Sequence, residues 1–229
     1  MSSGKDPTMV SETLPLADMT ETDDRRRLGD PYASSETERM ARLDKILRTA
    51  PHVMTILETV RALDLPDAWL VSGGIYQTAW NVLTGRTLMH GIKDFDIVYF
   101  DGKDPSYEAE DRIIHRVNAA LPELAKLLEV RNQARVHLWY EKRFGRRYRP
   151  LHCAMDSLTT YAARTHAVAA RLTASGEIVL HAPFGLANLF AMRLVPNYVQ
   201  PNERTYVEKA ERMKALWPEL SVAPWGADI

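Results

Sequence analysis

The sequence predicts an α/β (α+β) fold, a mixed sheet flanked by helices that ends in a hairpin and further helices. Short runs rich in β-branched and aromatic residues stop at Gly, Pro or Asp, as strands do. Stretches with apolar residues every three or four positions lie between them, as amphipathic helices do. Ala174-Ser175-Gly176 separates two more strand-like runs, Thr165–Thr173 and Glu177–His181, which read as a β-hairpin. With 229 residues, 45% of them apolar, there is material for one packed domain. That domain is expected over residues 36–229, preceded by a flexible tail over 1–35, which is rich in Ser, Thr, Asp and Glu.

The elements follow in order. Met40, Leu43, Ile46 and Leu47 line one face of a helix from Glu36, and Pro51 restarts a second one carrying Val53, Ile56, Leu57, Val60 and Leu63. Trp69-Leu70-Val71 is a strand that halts at Ser72-Gly73-Gly74, and Ile75, Ala79, Val82 and Leu83 then mark a helix closed by Gly85. Lys93–Phe100 forms the next strand. Asp104 caps a helix that opens at Pro105, with Ile113, Ile114, Val117 and Leu121 on its buried stripe. Ala134–Tyr140 reads as a third strand, followed by a basic loop. Helices are expected over Asp156–Ala163, Leu186–Val195 and Glu203–Leu216.

Composition excludes several functions. Lys+Arg 29 against Asp+Glu 30 gives a net charge of −1, which rules out a globally basic nucleic-acid coat. Cys153 stands alone, so neither an internal disulfide nor a Cys-based zinc site can form. His90, His115, His152, His166 and His181 show no metal-ligand spacing. No apolar run approaches the roughly 18 residues of a membrane span, and no leader pattern opens the chain, so a cytoplasmic protein without a membrane partner is expected.

The chemistry concentrates in two places. Asp94-Phe95-Asp96 puts two carboxylates at i and i+2 on one strand face, where a hard divalent cation, Mg²⁺ or Mn²⁺, would relieve their repulsion. Gly73 and Gly74, between a strand and a helix, let backbone N–H groups approach a phosphate at the positive end of the helix dipole. A phosphate cradle followed by a metal-binding strand is equipment for handling a nucleoside triphosphate. Gln77 and Asn81, four apart on that helix, can reach base or ribose; Lys93 and Arg135 are further phosphate candidates.

The runs Trp69-Leu70-Val71-Ser72-Gly73-Gly74-Ile75-Tyr76-Gln77 and Gly91-Ile92-Lys93-Asp94-Phe95-Asp96-Ile97-Val98 resemble the DNA polymerase β-like nucleotidyltransferase superfamily. Asn132–Glu141 and Pro183–Phe190 narrow the resemblance to a bacterial nucleotidyltransferase-like family, over about Trp69 to Pro218. The resemblance implies a nucleotidyltransferase-like sheet and transfer of a nucleoside monophosphate from a triphosphate, with release of pyrophosphate. Ser72, Gly73 and Gly74 would hold phosphates, and Asp94 and Asp96 would bind Mg²⁺.

The sequence departs from that pattern at the third carboxylate, which active members carry on the next strand. In the expected strand Ala134–Tyr140, His137 and the following Glu141 share a face and are the substitutes. The acceptor is unassigned, with a small molecule or protein hydroxyl preferred over RNA. Two alternatives stand beside the enzyme: a nucleotide-binding regulator without turnover, suggested by the missing carboxylate, and an RNA-binding module using the basic loop 142–149.

Overall fold

The computed structural model describes residues 21–227. The chain begins with α1 (Glu21–Gly29), α2 (Glu36–Arg48) and α3 (Pro51–Ala62), then β1 (Trp69–Val71), α4 (Gly73–Leu83), β2 (Phe95–Tyr99), α5 (Tyr107–Ala120) and β3 (Leu128–Asn132). It continues through α6 (Val136–Phe144), the hairpin β4 (Ala169–Leu172) and β5 (Ile178–His181), the single turn α7 (Ala187–Phe190), β6 (Arg193–Leu194), α8 (Glu203–Leu216) and β7 (Ser221–Val222). A five-stranded mixed sheet with order β3-β2-β1-β4-β5 is the centre, parallel only between β2 and β3; β6 and β7 form a separate two-stranded sheet. Among the described residues no helix is long and apolar enough to cross a membrane.

Strand alternation divides the sheet into two unlike faces. Leu70, Phe95, Ile97, Tyr99, Val130 and Ala170 join the large core with Leu43, Ile46, Leu47, Ile56, Leu57, Ile75 and Trp80 from the helices. Each buried Leu, Ile, Val or Phe among them contributes roughly 1.5–3 kcal/mol. Trp69, Val71 and Val98 point the other way, into a smaller cluster with Ala154, Leu158, Ala167 and Ala169. That second face is where Asp96 emerges.

Several expectations are corrected. Residues 21–29 of the expected tail are helical, with Leu28 fully buried and the Arg39 guanidinium donating to the carbonyls of Leu28 and Asp30, both at 2.7 Å. Residues 1–20 lie outside the described residues. Asp94 stands just ahead of β2 rather than within it. Ser106, not Asp104, caps α5, its hydroxyl accepting from Ala109 N–H at 3.2 Å. Ala154–Thr160 is 3₁₀ helix, and Leu186–Val195 is one helical turn followed by Met192 at φ 49° and β6.

The largest correction concerns the third strand. It is Leu128–Asn132, whereas most of the expected strand Ala134–Tyr140 is α6. Asn132 ends the strand: its Oδ1 accepts from the N–H groups of Ala134 and Asp101 at 3.0 Å, and its Nδ2 donates to Asp101 O at 2.9 Å. Pinned there, the chain turns through a short 3₁₀ segment into the helix.

Candidate active site

β1 runs straight into α4, and the junction is strained. Ser72 has φ 57° and ψ −117°, a conformation costing about 1–3 kcal/mol for a residue with a side chain. Its neighbours hold it: Ser72 N–H donates to Val168 O at 2.8 Å, and its carbonyl accepts from Ile75 and Tyr76 at 2.9 and 3.1 Å. The Ser72 hydroxyl does not cap the helix, and the first turn contains no acid. The N–H groups of Gly73 and Gly74 therefore lead α4 without intrahelical acceptors, at the positive end of its dipole.

The two glycines differ in what they permit. A Cβ on Gly74 would lie 2.7 Å from Phe95 Cδ1 and 3.3 Å from Leu70 Cδ1, so its bareness lets α4 lie directly on the sheet. A Cβ on Gly73 would meet Gln77 Nε2 at 2.8 Å and Asp94 O at 3.9 Å. The turn and the first carboxylate residue are thus neighbours.

In register, Val71, Asp96 and Glu129 stand side by side across β1, β2 and β3. Asp96 is partly buried, Asp94 half-buried and Glu129 exposed. Burial, then the charges of Asp94 and Glu129, push the Asp96 carboxyl up to about 7, against the opposing pull of Lys209 and Arg131. Glu129 is a strand carboxylate that sequence reasoning missed. Its signal was the alternation Leu128-Glu129-Val130-Arg131-Asn132, with apolar and charged residues on opposite faces.

A cleft of 450 Å³ opens at Ser72, Asp96 and Glu129. Trp139, Tyr140 and Phe144 of α6, with Tyr148, form one wall; Thr205 and Lys209 of α8 form another. The Tyr140 ring packs 4.6 Å from Phe144 and 4.5 Å from Tyr148, and the Arg143 guanidinium lies over Trp139 and Phe144. Gly73, Gly74 and Asp94 adjoin this cleft through Ser72 and Asp96 but are not part of its lining, and a larger cavity, 640 Å³ between α3 and β4, is lined by none of Ser72, Asp96 and Glu129.

Other predicted site residues lie elsewhere. Arg135 pairs with the buried Glu110 and donates to Pro105 O at 3.1 Å, so it clasps α5 to the end of β3 rather than facing the cleft. His137 and Glu141 sit on α6, outside the cleft lining, and Glu141 faces Arg147 at 3.8 Å. Gln77 is buried, its Nε2 donating to Tyr76 Oη at 3.2 Å while its Oε1 has no partner among the described residues. Asn81 is a structural hub: its Nδ2 donates to Leu88 O and His90 O, and its Oδ1 accepts from Trp217 Nε1 at 3.0 Å. Lys93 is exposed beside Asp94.

The donor set suits a hard divalent cation. Among the described residues no three His, Cys, Asp or Glu side chains converge into a ready metal cage. Mg²⁺ rarely takes such a cage; it binds through one or two carboxylates and completes its shell with water and substrate phosphates. Asp94 and Asp96 offer those oxygens, and the raised Asp96 carboxyl marks negative charge that lacks compensation.

Fold and site together set the uncapped start of α4 against the acidic strand residues Asp96 and Glu129. A family model described as Nucleotidyltransferase matches residues 58–222, and the chain belongs to that family. No curated protein matches the sequence. Among solved structures, one whose description reads "The NMR structure of the protein reveals a CCA-adding enzyme head domain" superimposes with a TM-score of 0.64 at 23% identity, covering 80% of this chain and 94% of that one. The likeness shows a shared fold.

Proposed function

We propose that the protein is a divalent-metal-dependent nucleotidyltransferase that moves a nucleoside monophosphate from a nucleoside triphosphate to an acceptor hydroxyl and releases pyrophosphate. The observation that carries this reading is geometric: Asp96 and Glu129 stand side by side in register on the floor of a cleft that also takes in Ser72 at the uncapped start of α4, and burial with the neighbouring carboxylates pushes the Asp96 carboxyl up to about 7. Asp94 and Asp96 hold the cation, which when bound offsets phosphate charge and acidifies the attacking hydroxyl. The N–H groups of Gly73 and Gly74 cradle phosphate oxygens. Trp139 and Tyr140 offer ring faces on which the donor base stacks. Glu129 replaces His137 and Glu141 as the third carboxylate and receives the acceptor proton, which removes the motive for a binding-only protein.

The test is pyrophosphate release from the four ribonucleoside triphosphates with Mg²⁺ or Mn²⁺, each alone, where water stands in for the acceptor, and with small-molecule, protein and RNA hydroxyl acceptors supplied. Asp96→Asn is expected to lose at least about 100-fold in rate, and Glu129→Gln about 10–100-fold. Glu141→Gln should match the wild type. Undiminished release by Asp96→Asn would overturn the assignment.

A further inference from the structure

α8 shows two stripes. Tyr206, Ala210 and Met213 recur at i, i+4 and i+7 and are buried. Thr205, Lys209 and Arg212 recur with the same spacing on another stripe, and the first two line the cleft that contains Ser72 and Asp96.

The helix is fastened to the loop that delivers Asp94. Arg212 Nη2 donates to Gly91 O at 3.1 Å, and His90 Nε2 lies 3.1 Å from Leu216 O. The Trp217 ring packs so closely on Gly91 that a Cβ there would stand 2.6 Å from it, at a φ of +70°. Asn81 of α4 binds both Trp217 and the carbonyls of Leu88 and His90. The backbone of α8 is therefore set relative to both the glycine turn and the carboxylates.

The cleft cations differ in how far they are engaged. Arg146 donates to Pro201 O at 2.9 Å and binds Asn202 and Tyr140, Arg143 covers two rings, and Arg131 donates to Val130 O at 2.9 Å. Lys209 has no hydrogen bond and no ion pair among the described residues, although Asp96 and the buried His166 both feel its charge. Burial, with Lys209 and Arg212 nearby, holds His166 well below its ordinary range, so it brings no positive charge of its own. Asp94, Asp96 and Glu129 together repel a triphosphate, and one divalent ion offsets only part of that charge.

We propose that Lys209, with Thr205 one turn before it on α8, forms the subsite that grips the β- and γ-phosphates of the donor and the pyrophosphate as it leaves. This rests on the nucleotidyl-transfer reading. In that reaction the acceptor oxygen bonds to the α-phosphorus, and the bond from α-phosphorus to the bridging oxygen breaks. The bridging oxygen keeps the electron pair and leaves on pyrophosphate, while the acceptor proton passes to Glu129. Charge thus grows on the leaving pyrophosphate, where an unengaged, strongly hydrated ammonium has most effect.

The test compares calorimetric binding of inorganic tripolyphosphate, a nucleoside triphosphate and its monophosphate, all with Mg²⁺, by the wild type, Lys209→Ala and Lys209→Arg, alongside pyrophosphate release. Lys209→Ala is expected to weaken tripolyphosphate and triphosphate binding at least about tenfold, leave the monophosphate within about twofold, and recover with Lys209→Arg. Its unliganded melting temperature should match the wild type. Equal losses for mono- and triphosphate, or no loss, would overturn the subsite. Lys209-dependent tripolyphosphate binding without pyrophosphate release from any triphosphate, with the small-molecule, protein and RNA acceptors supplied, would sink the transfer reading and keep the subsite. Release that is indifferent to Lys209 would do the reverse.

Discussion

Three of the described helices begin at a serine, and the starts of α2 and α4 are opposites. At α2, Ser35 has φ −80°, its hydroxyl accepts from Glu38 N–H at 3.3 Å, and Glu38 returns the bond from Ser35 N–H at 2.8 Å. At α4, Ser72 has φ 57°, caps nothing and leads two glycines. The acids nearby follow suit. Bonds from the Ser35 backbone, the Ser35 hydroxyl and Arg27 pull Glu38 down to about 2, while burial and like charges push Asp96 up to about 7. One start is satisfied internally, and the other keeps donors and charge in want of a ligand. The difference teaches where folding free energy has been left unclaimed for binding.

The widest test of that contrast is Asp96→Asn in the absence of metal. A folded-state value of about 7 against 3.8 means that the carboxylate destabilises the fold increasingly as pH rises from about 4 to 7, by at most about 4 kcal/mol. Urea melts should find the variant more stable than the wild type at pH 8, with the gap closing near pH 4. Millimolar Mg²⁺ should stabilise the wild type alone. A smaller effect separates the serines: Ser35→Ala is expected to cost about 1 kcal/mol, whereas Ser72→Gly, by relieving the backbone, should be neutral or gain up to about 1 kcal/mol. Equal losses in chemical denaturation would erase the distinction. The smallest effect is Glu38, whose depressed value adds stability that is complete above about 4.5 and lost as pH falls through about 2. Acid titration of wild type against Glu38→Gln reads it.

Local signals in the sequence outlined much of this site. Trp69–Val71, the glycine turn and the helix after it are consecutive, so strand, stop and periodicity can be read in one pass, and α8 spans the expected Glu203–Leu216. β3 was hidden because its partner β2 lies across a helical crossover, and because Val136, Trp139, Tyr140 and Phe144 suit a helix face as well as a strand. Misplacing that strand concealed Glu129 and made His137 and Glu141, which lie on α6, the candidates for a third carboxylate. Arg135 looked free because Glu110, its partner, lies 25 residues earlier. Lys209 carried no local signal at all: only the docking of α8 on Gly91 brings it to the cleft.

The place of β3 in the sheet carries one more consequence. It is an edge strand, a place where bare backbone groups recruit other chains, and side chains cover part of it: Arg131 Nη1 donates to Val130 O and Asn132 N–H donates to Glu110 Oε1, both at 2.9 Å. Its outward residues are Glu129 and Arg131, both exposed and of opposite charge. Such residues discourage edge-to-edge association, so the carboxylate proposed for proton transfer also serves as a gatekeeper against aggregation. Glu129→Leu is therefore expected to lower solubility, read by light scattering at matched concentration, separately from any change in turnover.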